Sequence, residues 1–115
     1  MRKQLLSWQW GLYPQNHTTR ANLVIHIFTT PLFIAGTLTL LSSPMYGVRS
    51  AVSGLVGMII PMALQGRGHK GEAVTPVPFL GPMDFVSRFF CEQFINFPRY
   101  VLSGGWAKAF RQARS

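Results

Sequence analysis

The chemistry available to this sequence rests on three histidines. His17 lies in a polar stretch, residues 15–19, His26 lies inside an apolar run, and His69 lies in the glycine-rich stretch 66–71. Imidazole is a good ligand for zinc, iron, copper or nickel. Three imidazoles on one ion leave coordination positions open to a substrate or to oxygen. Each histidine also has a plainer reading. His17 reads as a solvent-exposed turn residue, His26 as a hydrogen-bonding partner of a neighbouring helix, and His69, beside Lys70, as a lipid-headgroup contact. The single cysteine, Cys91, follows Phe89 and Phe90. It offers neither an internal disulfide nor a multi-cysteine zinc site, and is expected to be a packed thiol.

Whether the histidines meet depends on the elements that carry them. Residues 23–41 contain no charged side chain, and a run of about 19 such residues crosses a ~30 Å hydrocarbon core. Thr19 or Asn22 can cap its start, and Pro31 inside it is tolerated in a membrane helix. His26, Thr30 and Thr37 are spaced to share one face, which should turn inward because a polar group facing lipid is unsatisfied. A second apolar run, 45–64, has Arg49 near its start, Pro61 near its end, and Gly54 and Gly57 for close helix contact. The two runs predict a hairpin bent near residues 43–46. In such a hairpin the start of the first helix and the end of the second lie at the same end, so all three imidazoles can converge there.

The expected fold is all-α: one domain over residues 1–115, a small helical membrane protein with a transmembrane hairpin plus amphipathic, interfacial helices. Helices are expected near 5–13, 20–42, 46–65 and 83–102, with no sheet. Trp8 and Trp10 in the first segment suit either a membrane interface or packing on the domain. Residues 65–82, rich in Gly and Pro, are expected to form a loop. In the last helix, Asp84 suits the first turn, Phe85, Val86, Phe89, Phe90, Phe94 and Phe97 form an apolar face, and Pro98 interrupts it. Glu92 has two readings there. It pairs locally with Arg88, one turn earlier, or it faces the histidines and receives an imidazole N–H.

Composition agrees with a membrane setting. Apolar residues make up 48% of the chain and charged residues 12%, about half the usual globular share. Eleven Lys and Arg against three acids give a net charge of +8. They are scattered singly, and no nucleic-acid-binding motif accompanies them, so anionic lipid is expected as partner and nucleic acid is not. The positive-inside rule places the termini, the 66–71 loop and the metal site on the cytoplasmic side, with the basic tail 107–115 at that surface. Ser7, Gln9, Gly11 and Pro14 break the first apolar segment, so no signal peptide is expected.

The exact residues around the histidines add a resemblance. His17 to His26 reads H-x4-N-x3-H through Asn22, and Gln65 to Glu72 reads Q-x2-G-H-x2-E, with Pro76 following. Together with Tyr13 ahead of the first histidine and Pro31 beyond the second, these patterns resemble the small membrane-bound 2-hydroxy fatty acid dioxygenases. That family is named from a fungal enzyme of phytosphingosine breakdown and has many bacterial relatives. Residues 78–82 and 97–106 look like the bacterial branch, and the resemblance spans roughly residues 8–106. It implies an iron(II)-dependent enzyme that uses molecular oxygen to shorten a 2-hydroxy fatty acid by one carbon. His17, His26 and His69 would be the iron ligands, with Asn22 and Glu72 beside them. Fungal-type members space the last histidine and glutamate one residue further apart, which leaves Glu72 as either a ligand or a carboxylate that orients an imidazole. Arg67 or Lys70 would pair with the substrate carboxylate. Three histidines also describe a hydrolytic zinc site or a non-catalytic metal-binding membrane protein.

Overall fold

The computed structural model describes residues 4–113, and no strand occurs among them. Helix α1 (Leu5–Leu12) runs into a 3₁₀ turn (Tyr13–Asn16), followed by α2 (Arg20–Leu41), the short α3 (Ser43–Tyr46) and α4 (Val48–Lys70). After a loop come α5 (Pro82–Cys91), a π-helical segment (Glu92–Asn96), α6 (Phe97–Leu102) and α7 (Gly105–Gln112). Pro14 sits in the first positions of the 3₁₀ turn, where its missing N–H is harmless. Thr19 caps α2, its hydroxyl accepting from the Asn22 N–H at 3.2 Å. Gly47, at φ 87°, adopts the left-handed backbone that joins α3 to α4.

The α2–α4 pair is the frame of the molecule. Its antiparallel register follows from three contacts: Asn22 against Gly68, Gly36 against Gly57, and Leu40 against Gly54. A methyl group at Gly36 would lie 2.7 Å from a backbone carbon of Gly57, so the backbones touch only because both residues lack side chains. Both helices, of 22 and 23 residues, are long and apolar enough to cross a membrane.

The distribution of side chains is inverted relative to a water-soluble domain. Among the described residues, seven hydrophobic side chains are buried against twelve polar or charged ones. Leu55, Ile59 and Ile60 of α4 and Phe28 of α2 are exposed. In water such a surface would be unfavourable by about 25 cal/mol per Å² of apolar area; against lipid it is not.

Three expectations need correction. The second long helix runs 48–70 rather than 46–65, with a separate turn at 43–46, so His69 lies in the last helical turn and not in a loop. Gly66 and Gly68 look like loop residues in sequence, yet Gly68 is a packing glycine: a side chain there would strike the Asn22 side chain. The helix beginning at Pro82 is continuous to Leu102 but passes through the π-helical turn just before Pro98, whose ring nitrogen cannot continue the α ladder. The tail is also more than a basic surface segment. Trp106 of α7 donates its indole N–H to the Leu23 carbonyl at 3.0 Å, and Phe110 packs on the Tyr13–Leu23–Phe97–Tyr100 cluster. Residues 114 and 115 of that tail lie outside the described residues.

Candidate metal centre

Each histidine is delivered by a different local device. His17 ends the 3₁₀ turn, and its ring stacks on Tyr13 with centroids 4.0 Å apart and planes 7° from parallel. His26 sits nearly two turns inside α2 and is fully buried beneath Phe97. His69 comes from the last turn of α4. The three ring centroids lie 4.6–4.9 Å from one another. The π-helical segment brings in a fourth group: Glu92 Oε1 is 3.2 Å from His26 Nε2 and 3.5 Å from His17 Nε2. One ligand atom from each of His17, His26, His69 and Glu92 lies within 4.8 Å of all the others.

Hydrogen bonding fixes how the rings face one another. His17 Nδ1 is 2.9 Å from the Tyr13 carbonyl, and His26 Nδ1 is 2.9 Å from the Asn22 carbonyl. A carbonyl oxygen only accepts, so each Nδ1 carries its proton, and in the neutral ring each Nε2 presents a lone pair. Burial pushes the His17 pKa down, against the opposing pull of Glu92. The two Nε2 atoms are nevertheless 3.4 Å apart and both face the Glu92 carboxylate. His69 Nδ1 is also buried without a hydrogen-bond partner. Acceptors converging on one point require a cation or a proton among them.

The spacing of three of the four groups, His17, His26 and Glu92, fits a metal ion. For metal–ligand bonds of about 2.0–2.2 Å, neighbouring donors in octahedral or tetrahedral geometry lie about 2.8–3.6 Å apart. The three separations among His17, His26 and Glu92 run from 3.2 to 3.5 Å. Burial acts to raise the Glu92 carboxyl pKa, but the two facing imidazoles outweigh it and hold the group well below its ordinary range. Tyr13 donates its hydroxyl to the same oxygen at 3.3 Å. Burial, and then the Glu92 charge, keep that phenol protonated.

The other residues singled out from the sequence separate into distinct places. Both oxygens of Glu72 are taken: Oε1 by the Thr18 N–H and hydroxyl at 2.7 and 2.6 Å, Oε2 by the Thr19 N–H and hydroxyl and by Asn22 Nδ2 at 2.9–3.0 Å. Glu72 is therefore neither a ligand nor a direct partner of an imidazole. Instead it fastens the turn between His17 and α2 to the end of α4. Asn22 lies beside the centre, accepting from His26 through its carbonyl and donating its amide to Glu72 and to the Asn16 carbonyl. Lys70 stands on the rim of a cleft that opens beside the cluster, whereas Arg67 is exposed and does not line it. Glu92 does not pair with Arg88, which bonds to Asp84 at 3.4 Å and to the Pro78 carbonyl.

Apart from Thr30, expected to face inward with His26, two groups of residues have no obvious signal in the sequence. Gln65 and Gln93 exchange amide hydrogen bonds at 2.7 and 2.9 Å one turn below His69 and beside Glu92. Thr29 and Thr30, one turn below His26, complete this layer. The cleft itself, about 360 Å³, is walled by α1, α4, α5 and the 75–79 loop, and includes Arg88. A polar residue inside an apolar helix hints at such a layer, but only the helix register pairs its members. Compared with known proteins, the chain matches no family model, no curated protein and no solved structure.

Proposed function

We propose that this chain is an integral membrane, non-haem iron(II) dioxygenase that shortens 2-hydroxy fatty acids by one carbon, with its centre at the cytoplasmic face. One observation carries the metal assignment: imidazoles whose tautomers are set by backbone carbonyls aim two lone pairs and a carboxylate at one point. His17, His26, His69 and Glu92 would hold the ion, a set that suits iron and equally suits zinc. The substrate class comes from the resemblance of the histidine motifs to the 2-hydroxy fatty acid dioxygenases. The mostly apolar cleft beside the cluster is in keeping with it. The two apolar helices and the basic residues at their shared end, Arg20, Arg67 and Lys70, support the membrane placement and its sidedness.

Bound iron would supply a site for chelation by the hydroxyl and carboxylate of the substrate and for reduction of oxygen. The chain's own groups hold and shield that site. The Tyr13 and Asn22 carbonyls keep His17 and His26 in one tautomer, Tyr13 orients Glu92, and Phe97 covers His26 from solvent. Lys70 at the rim gives an acid head group a cationic neighbour. With no other reductant, the overall balance takes a 2-hydroxy acid and oxygen to the acid one carbon shorter, carbon dioxide and water.

Metal analysis of detergent-purified protein, followed by oxygen uptake with 2-hydroxypalmitate, tests this reading. Bound iron and substrate-dependent uptake, with pentadecanoic acid as product, are expected. Bound zinc with no uptake would move the protein to a hydrolytic or structural metal site, and the absence of any bound metal would end the metal reading.

A further inference from the structure

The cleft next to the cluster has two chemically different ends. His17, His69 and Glu92 stand at one end, and Trp8, Leu12, Met62, Val77, Phe79 and Phe85 make apolar walls elsewhere. Along α4 its wall descends from His69 and Lys70 through Gly66 to Met62. At 1.5 Å per residue, the seven positions from Met62 to His69 span about 10 Å. The cleft thus leads from a cluster of acceptors into apolar surroundings on the side of the molecule formed by a helix apolar enough to cross a membrane.

Packing explains neither of two helical glycines, Gly11 and Gly66, and of these only Gly66 lines the cleft. Gly36, Gly54 and Gly68 lack side chains because a Cβ at each would collide with a neighbouring helix. A Cβ at Gly66 meets nothing within 4 Å. A glycine in a helix interior costs about 1 kcal/mol relative to alanine, and here no close contact requires it. What its missing side chain leaves is space in the wall of the cleft.

We propose that the cleft seats the unbranched apolar chain of a single-chain acid, head toward the imidazoles, and that Gly66 sets the room available to that chain. This rests on the metal reading for the direction of the head. Lys70 at the rim and the net charge of +8 match an acidic occupant.

Trp8 in the cleft wall supplies a readout that does not depend on turnover. The probe is hexadecanoic acid brominated near its methyl end, titrated into detergent-solubilised full-length protein while tryptophan fluorescence is followed. Saturable quenching is expected, and Trp8→Phe should abolish its saturable part. Gly66→Leu should weaken binding at least tenfold, and Gly66→Ala by less. Gly11→Leu, at another glycine with open space but outside the cleft, should leave it unchanged. Unchanged affinity in Gly66→Leu overturns the proposal; if that variant does not fold, unchanged affinity in Gly66→Ala does so. Equal saturable quenching by a brominated two-chain phosphatidylcholine, undisplaced by hexadecanoic acid, also overturns it and makes the cleft a groove for bilayer lipid. Metal content measured on the same samples separates the two claims. Chain binding without metal leaves the cleft assigned and removes the metal centre, and metal without chain binding does the reverse.

Discussion

Two buried polar layers lie one helical turn apart on the same elements, and they are built on opposite rules. In the amide layer, Gln65 and Gln93 each donate to and accept from the other, and Thr29 and Thr30 join them. Every contact in that layer joins a donor to an acceptor. In the imidazole layer above it, His17, His26 and Glu92 face one another as acceptors, and the buried Nδ1 of His69 has no partner. A satisfied network stabilises a fold, and an unsatisfied one has to be held in place by its surroundings. The first layer joins α2, α4 and the π-helical segment; the second is carried on that frame and is available to a cation.

The contrast is broken most directly at His26. His26→Ala should reduce metal retained through gel filtration to background, a loss of more than ~100-fold in affinity, since even the groups that orient ligands are worth ~10–100-fold. Adding His17→Ala should lower metal retention no further. Full metal occupancy in His26→Ala would show that the imidazole layer is an ordinary polar cluster.

Glu92→Gln comes next and separates the two layers by sign. The new amide brings an N–H donor among the lone pairs, so the metal-free protein should unfold at the same temperature or higher. Metal affinity should fall by ~10–100-fold. Arg88→Gln should do the opposite, lowering thermal stability by stripping the buried Asp84 of a cation while leaving metal affinity near wild type. The reverse pattern across these two variants would return Glu92 to a purely structural role.

The amide layer predicts a smaller effect with a different signature. Gln65→Leu strands the Gln93 amide and should cost about 1–3 kcal/mol, read as a lower unfolding temperature in detergent. Such effects within membrane helices often fall nearer 0.6 kcal/mol. Gln65→Leu combined with Gln93→Leu should be milder than Gln65→Leu alone, because no stranded Gln93 amide then remains. A double variant worse than the sum of its parts would contradict the reading of this layer as a satisfied pair.

The smallest effect is confined to acid. Burial acts to raise the Glu72 pKa, but the bonds from Thr18, Thr19 and Asn22 outweigh it and lower it from 4.5 to about 2. A carboxyl lowered in the folded state stabilises above its unfolded pKa, and that contribution is lost as pH falls through the folded value. The unfolding temperature of the wild type should therefore drop between about pH 4.5 and pH 2 by more than that of Glu72→Gln. Parallel curves for the two proteins would show that Glu72 does not hold the turn as a carboxylate.

Much of this arrangement is legible in the sequence, and the reasons it stops are physical. The convergence of His17, His26 and His69 follows from a hairpin alone, because a hairpin brings the ends of its two helices together whatever the register. The partner of Glu92 does not follow. Arg88 and Glu92 are properly spaced for a helical pair, and the fold instead gives Arg88 to Asp84 while the π-helical turn presents Glu92 to the histidines. Gln65 and Gln93 are 28 residues apart, so their pairing is invisible until α4 and the π-helical segment are aligned. Gly66 and Gly68 misplace the end of α4 because a glycine needed for close approach reads like a glycine needed for a turn. Helix α7 is hidden by the opposite effect: Trp106 and Phe110 have helical spacing, but the segment is short and its basic residues resemble a solvated tail.

The grip of Glu72 on Thr18 and Thr19 has a consequence for biosynthesis. The turn that aims His17 is fastened by a residue more than fifty positions later, beyond the end of α4. A ribosome that has released only α1 and α2 has therefore made His17 and His26 without the fastening that holds His17 in place. Glu92 emerges later still, twenty residues after Glu72. On the metal reading, capture of an ion thus belongs to the finished chain, after both long helices have been made. A nascent protein stalled before residue 92 would present the imidazoles without the carboxylate that faces them.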